Sequence, residues 1–336
     1  MQCLGHAIVL VLLCIKQTSA SSGSYDATVC NQKTYTSRSG KLICEYPIRS
    51  PRHRTSTAHS TPDVPNAWNP DGQGFQCMSV RDSPPAFDAT WKWPSAADTV
   101  HSYPHVKLTT PALPITLSNI SAMHLTGKWS MGAGSTPAPR LSVDTKALAD
   151  LDVTANVAFD MFADRNAEKS VKETMAETEI MIWLGRFGHA QPLGWNENRP
   201  RISLTLGNVE FTLYYGKNQR GTNVFSWVAA ENALSFSAEV SPLLQYLWRE
   251  GLVSAGSFVG VVAFGSEAFR SVGNVTFSAT DFDMVLDTGA APTLPPEELP
   301  KPKSDAASRP APGTRGSWTW LVLNMSIIGS LGAVLL

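Results

Sequence analysis

Seven short runs between residues 153 and 286 carry alternating or β-branched apolar residues between turn signals. They are 153–162 (VTANVAFDMF), 178–185 (TEIMIWLG), 202–206 (ISLTL), 209–215 (VEFTLYY), 223–229 (NVFSWVA), 257–264 (SFVGVVAF) and 272–286 (VGNVTFSATDFDMVL). A period of two with such residues predicts strands. One segment departs from this period. Ser241-Pro242 offers an N-cap and a first-turn proline. Leu243, Leu244, Tyr246, Leu247 and Leu252 follow at roughly helical spacing, and Gly251 interrupts near the end. Many strands and one helix predict an all-β sandwich or jelly roll.

Both ends of the chain carry a different pattern. Residues 7–15 (AIVLVLLCI) are an apolar run, and Thr18-Ser19-Ala20 follow. Residues 1–20 therefore read as a secretory signal peptide. Residues 317–336 are apolar to the last position, with no basic residue behind them. Small residues at Ser304–Ser308 and a polar spacer to Gly316 precede this tail. That order predicts a lipid-anchor signal whose tail is removed. Residues 287–316 are proline-rich and nonperiodic, as in a semi-rigid stalk. Residues 21–286 then form the main domain, with 47–63 a polar, basic surface loop.

Secretion bears on the cysteines. Cys3 and Cys14 fall in the signal peptide, so Cys30, Cys44 and Cys77 remain. One disulfide and one free thiol are expected in an oxidising compartment. Asn119-Ile-Ser and Asn274-Val-Thr are glycosylation acceptors. The formal net charge of -1 gives no reason to expect nucleic acid as a partner. Ten tryptophans raise the expectation of a carbohydrate ligand, because aromatic faces stack on sugar rings.

Candidate chemistry lies on three of the strands. Side chains alternate between the two faces of a strand. Glu179, Met181 and Trp183 therefore share one face, with Ile180 and Ile182 on the other. Glu177 lies on the same face as Glu179, and spacing does not separate the two. Glu267 ends an otherwise apolar strand within Phe264-Gly-Ser-Glu-Ala-Phe269. Apolar neighbours raise a carboxyl pKa, as a general acid requires. Asp160 shares a strand face with Asn156, Ala158 and Phe162. Two carboxyls across a groove suffice for glycoside cleavage. His101 and His105 have a metal-like spacing, but Pro104 breaks the helix that would align them. No H-E-x-x-H, Walker loop or G-x-S-x-G occurs. No metal and no organic cofactor is expected.

Three motifs in order carry a resemblance to glycoside hydrolase family 12, the small secreted endoglucanases. They are Asn156-Val-Ala-Phe-Asp160-Met-Phe, Glu179-Ile-Met-Ile-Trp183-Leu-Gly-Arg-Phe-Gly and Phe264-Gly-Ser-Glu267-Ala-Phe269. The match covers roughly residues 64–286. The resemblance implies a β-jelly roll of two twisted antiparallel sheets with an open cleft and one short helix. It also implies retaining cleavage of β-1,4-glucosidic bonds in cellulose-like glucan or xyloglucan. Glu179 then matches the nucleophile and Glu267 the acid/base, while Asp160 matches an aspartate hydrogen-bonded to the nucleophile. Met181 and Trp183 match cleft-lining residues, and Asn66 and Trp68 a sugar-binding Asn-x-Trp. Cys30 with Cys77 resembles the N-terminal disulfide of the family. The expected partner is a β-glucan chain, the expected state a monomer held at the cell surface by its lipid anchor. A transglycosylase, or a glucan-binding elicitor without activity, are the alternatives.

Several positions depart from the family pattern. Ala268 stands where proline is usual, and Ser266 where threonine is usual. Residues 44–65 are longer than usual and bring the extra Cys44. The stalk and anchor are additions that suit an enzyme acting on its producer's own wall.

Overall fold

The computed structural model describes strand residues 27–30, 34–36 and 42–45, then residues 73–82 and 84–291. The segments expected to be a signal peptide (1–20) and an anchor signal (317–336), most of the expected stalk, Asn66 and Trp68 lie outside the described residues. Two sheets make up the described part. The first runs β1 (Ala27–Cys30), β4 (Phe75–Asp82), β5 (Pro85–Trp93), β16 (Ala268–Thr288), β8 (Ile120–Ala133) and β14 (Ser235–Glu239), all antiparallel. The second runs β2 (Thr34–Thr36), β3 (Leu42–Glu45), β6 (His105–Leu108), β15 (Phe258–Gly265) and β9 (Thr154–Asp164). It continues through β10 (Thr178–Phe187), β13 (Asn223–Ala229), β12 (Val209–Lys217) and β11 (Ser203–Leu206). The short β7 (Ile115–Thr116) also pairs with β15. Only β10 and β13 run parallel among these pairs. β16 joins the sheets: its first residues pair with β9, the rest with β5 and β8. This is the expected jelly roll, and every one of the seven runs named above forms a strand.

The core lies between the sheets. Ala155, Val157, Phe159, Met161 and Ala163 of β9 enter it together with Ile180, Ile182 and Leu184 of β10. They meet Phe87, Trp91, Trp129 and Phe277 from the first sheet. Phe159 stacks on Phe264 at 4.4 Å between centroids, and Phe264 meets Phe277 edge-on at 6.2 Å. Such pairs add to the area term that dominates core stability. The unusual feature is the other face of β9. All 11 of its residues are buried, so the face turned from the core is also closed to water. That second face, with its counterpart on β10, forms the cleft floor.

Among the described residues three α-helices occur where one was expected. α3 (Ser241–Arg249) is the predicted one, while α1 (Thr145–Asp150) and α2 (Ala167–Ser170) are single turns. Elements this short show no apolar period and form only in tertiary context. Their caps are nonetheless plain: Asp144 Oδ1 accepts from Ala147 N–H, and Asn166 Oδ1 from Glu168 N–H. The cap assigned to α3 is corrected. Val240 occupies the cap position, and Ser241 is already helical. Glu239 Oε1 accepts from Ser241 N–H at 2.8 Å, so a longer acidic side chain does the work expected of serine. No helix among the described residues is long and apolar enough to cross a membrane.

α2 sits directly on β15. A Cβ added at Gly260 would lie 2.4 Å from the Ser170 carbonyl carbon and 2.5 Å from its oxygen. Gly260 falls at the irregularity between Val259 and Val261, where β15 bulges against β9. This approach fixes the start of the loop that carries Glu173, whose carboxylate pairs with Lys107. Gly260→Ala forces backbone apart, and overpacking of this kind costs about 1–3 kcal/mol. Urea unfolding checks it: the midpoint falls, whereas an unchanged midpoint contradicts the close approach.

Candidate active site

β9 is the spine of the site. Its Asp160 is opposite Met181 of β10 and Ala263 of β15. Glu179 is opposite Phe162, which makes it the diagonal neighbour of Asp160 on the cleft face. Diagonal positions in an antiparallel pair lie about 7–8 Å apart. Glu267 arrives from the other side, just after β15 ends. Asn156 of β9 holds it at several points. Asn156 N–H donates to the Glu267 carbonyl at 3.1 Å, and Glu267 N–H donates to Asn156 Oδ1 at 3.0 Å. The Asn156 Nδ2 amide donates to Glu267 Oε2. Ser266 Oγ donates to the Asn156 carbonyl at 2.6 Å. The chain reaches this point through a tight crossing, since a Cβ at Gly265 would lie 2.2 Å from the Pro104 carbonyl. Tyr103, next along that crossing segment, donates its hydroxyl to the Ala158 carbonyl at 3.1 Å.

Burial governs the protonation of these groups. Asp160, Glu179 and Glu267 are 2%, 6% and 7% exposed. Loss of water disfavours the charged form. For Glu267, burial first and the charge of Glu179 second push the pKa from 4.5 to about 8, against the opposing Asn156 hydrogen bond. Glu179 rises by burial to about 7, lowered by the charge of Arg220 and raised by Glu173. Asp160 is held well above its ordinary value by burial, then by Glu179, Glu267 and Glu173. Tyr103 is raised well above its ordinary value by burial and by the same carboxyls. Near neutral pH, Glu267 keeps its proton while Glu179 is partly ionised. One face thus offers a proton donor and an anion, the pattern that assigns acid and base roles to neighbouring carboxyls.

The profile of glycosyl hydrolase family 12 matches residues 64–287, two thirds of the chain. The chain belongs to glycosyl hydrolase family 12. This family 12 hydrolase is 29% identical over 210 residues to a protein of Aspergillus clavatus named probable xyloglucan-specific endo-beta-1,4-glucanase A. That alignment covers 61% of the hydrolase and 77% of the relative. It is also 29% identical over 220 residues to the xyloglucan-specific endo-beta-1,4-glucanase A of Emericella nidulans, covering 64% and 81% of the two chains. The crystal structure of endoglucanase 3 from Trichoderma harzianum superposes with a TM-score of 0.58 at 24% identity, over 78% of this chain and 97% of the other. A family 12 xyloglucanase from Bacillus licheniformis gives 0.58 at 19% identity, over 78% and 100%. These likenesses establish the jelly-roll fold.

The other residues singled out in this hydrolase sort by location. Met181 and Trp183 form an apolar wall with Ala158, Ala190, Val224 and Val228, and Trp183 Nε1 donates to Met181 Sδ at 3.2 Å. Glu177 separates from Glu179. It precedes β10, its side chain is 42% exposed, and it pairs with Arg165 at 3.4 Å. His105 stacks on Tyr103 with Nδ1 against the Tyr103 carbonyl, and His101 stacks on Trp93. Among the described residues no hydrogen bond joins Asp160 to Glu179, and Asp160 Oδ1 is buried without one. Their coupling is electrostatic. Asn156, Tyr103 and the Lys107–Glu173 ion pair at 2.6 Å were given no role from sequence. Asn156 left one signal, its place on the Asp160 face. Glu173 left none, because a loop delivers it.

These raised carboxyls make stability depend on pH. The folded state binds the Glu267 proton more tightly than the unfolded chain does. Its contribution is complete below pH 4.5 and is lost as pH rises through about 8. Folding free energy therefore declines across that window. Glu267→Gln flattens the decline and is more stable than the parent at pH 8. Urea unfolding at a series of pH values checks this, and a parent stability that climbs with pH would contradict it.

Proposed function

We propose that this chain is a retaining endo-β-1,4-glucanase acting on cellulose-like β-glucan or xyloglucan through a glycosyl-enzyme intermediate. The observation that carries the reading is the buried pair Glu179 and Glu267, with unequal proton affinities on one cleft face. The names of the Aspergillus clavatus and Emericella nidulans relatives support the glucan substrate. Glu179 attacks the anomeric carbon, and the bond to the leaving oxygen breaks. The Glu267 proton passes to that oxygen. Glu267, now ionised, takes a proton from water, which attacks the anomeric carbon and frees Glu179. Asn156 positions Glu267, and burial beside Glu179 disfavours a second negative charge on Asp160. Met181 and Trp183 line the sugar path, with Asn66 and Trp68 as further contacts. The scheme needs no cofactor.

The remaining assignments belong to the same reading. Residues 1–20 direct secretion, and 317–336 are exchanged for a lipid anchor on the stalk 287–316. Cys77 is disulfide-bonded and Cys30 is its ladder partner in the β1–β4 pair, which supports a Cys30–Cys77 bridge. Asn119 is exposed and suits a glycan. The Asn274 amide donates to Ser135 Oγ at 2.7 Å, which makes it the poorer acceptor.

Full-length protein assayed on β-glucan and xyloglucan tests the mechanism. Glu179→Gln and Glu267→Gln each lower kcat by about 10²–10⁴-fold; undiminished activity in either removes that residue. Attack needs Glu179 ionised and Glu267 protonated. The kcat/KM profile is therefore a bell that rises through about 7 and falls through about 8. The first product seen by NMR is the β-anomer, and an initial α-anomer would sink the two-step scheme. A phosphatidylinositol-specific phospholipase releases the protein from cells, whereas a protein that stays bound argues for a spanning tail.

A further inference from the structure

Four side chains form a continuous stack beside the cleft wall. The Arg186 guanidinium lies 4.4 Å from the Trp195 ring centroid. Trp195 stacks on Tyr214 at 4.8 Å with 24° between planes. The Arg201 guanidinium lies 4.5 Å from the Tyr214 centroid. Each ring has two faces, so the order is arginine, indole, phenol, arginine. The stack joins the site on two sides. Arg186 is the register partner of Asn156, which holds Glu267, and Tyr214 packs against the wall containing Met181 and Trp183.

No carboxylate pairs with Arg186 or Arg201 among the described residues, and the nearby Glu197 is already paired with Arg199. Arg201 Nη2 donates to the carbonyls of Trp195 and Glu197 at 2.6 and 2.9 Å, which ties down the loop. Arg201 Nη1 is buried with no hydrogen-bond partner. Arg186 is exposed and uses only Nη1, on the Ala190 carbonyl at 3.4 Å. Its remaining donors lie along the edge of a guanidinium held over an indole ring. Such an edge matches a carboxylate in bidentate fashion and loses little freedom on binding. A neutral glucan gives no reason to concentrate two unpaired cations here. An acidic sugar does, and it is drawn to this end because the centre of the cleft already holds crowded carboxyls.

We propose that this end of the cleft is a subsite for a sugar unit bearing a carboxylate, a uronic acid, with Arg186 its principal contact and Arg201 its support. The inference rests on the glucan-hydrolase reading and names the substrate class of the same site. Titration calorimetry on the full-length Glu179→Gln protein, which binds without turnover, tests it. The ligands are β-1,4-gluco-oligosaccharides of one length: neutral, oxidised at C6 of a backbone unit, or oxidised on a branch unit. One acidic ligand binds about tenfold tighter than the neutral one at low salt, the scale of a charge-assisted bidentate contact. The advantage shrinks at about 0.5 M salt, where the charges are screened. Adding Arg186→Gln abolishes the advantage and leaves neutral affinity within about twofold. Equal binding of all three ligands, or a preference that survives Arg186→Gln, overturns the subsite alone. Binding of none of them overturns the glucan reading and the subsite with it.

Discussion

Everything in the cleft follows from one strand buried on both faces. In an antiparallel sandwich a strand usually turns one face to the core and the other to water. β9 has no wet face. Its core side is ordinary, with Val157, Phe159 and Met161 packed against the opposite sheet. Its other side carries Asn156 and Asp160 into a place where polar groups must be paired or neutral. The two residues meet that demand differently. Asn156 uses its main-chain N–H and carbonyl and both amide atoms on Ser266 and Glu267. Asp160 has its ionisation disfavoured, first by burial and then by the charge of Glu179.

The same desolvation sets the chemistry. Burial is the largest cause of the raised pKa in Asp160, Glu179 and Glu267 alike. What distinguishes them is the second cause. Arg220 pulls Glu179 down, whereas Glu179 itself pushes Glu267 up. The pair is asymmetric because the charge of Arg220 acts on one member and the charge of Glu179 on the other. Such a cluster works against the fold at neutral pH, which the large cross-sheet core must offset. Binding sites are often built this way, because groups positioned for a ligand are not those that best stabilise the empty protein.

Close backbone approaches deliver the parts of the site that lie off the spine. Gly265 lets the Pro104 segment cross at the end of β15, and this brings Tyr103 over the Ala158 carbonyl. Gly260 lets α2 rest on the bulged β15, which sets the following loop where Glu173 reaches Lys107. On the opposite side, Arg201 pins the loop that presents Trp195 to Tyr214. The cleft is therefore a sheet floor with three separately anchored walls.

Local chemistry alone determined a good deal. Alternation marked the strands from β9 to β16 except β14, because apolar side chains on a half-buried sheet must repeat every second residue. It placed Ile180 and Ile182 in the core and Glu179, Met181 and Trp183 on the other face, as they stand. The three ordered motifs pointed to the family. Alternation could not separate Glu177 from Glu179, since both share a parity. Only the folded chain did so, by ending β10 at Thr178 and leaving Glu177 at the surface with Arg165. The cap of α3 was misjudged because Glu239 reaches it from outside the helix. Protonation, the Asn156 clamp and the arginine–aromatic stack belong to tertiary structure for the same reason. Each depends on which distant groups replace water around a side chain, and sequence spacing carries no record of that.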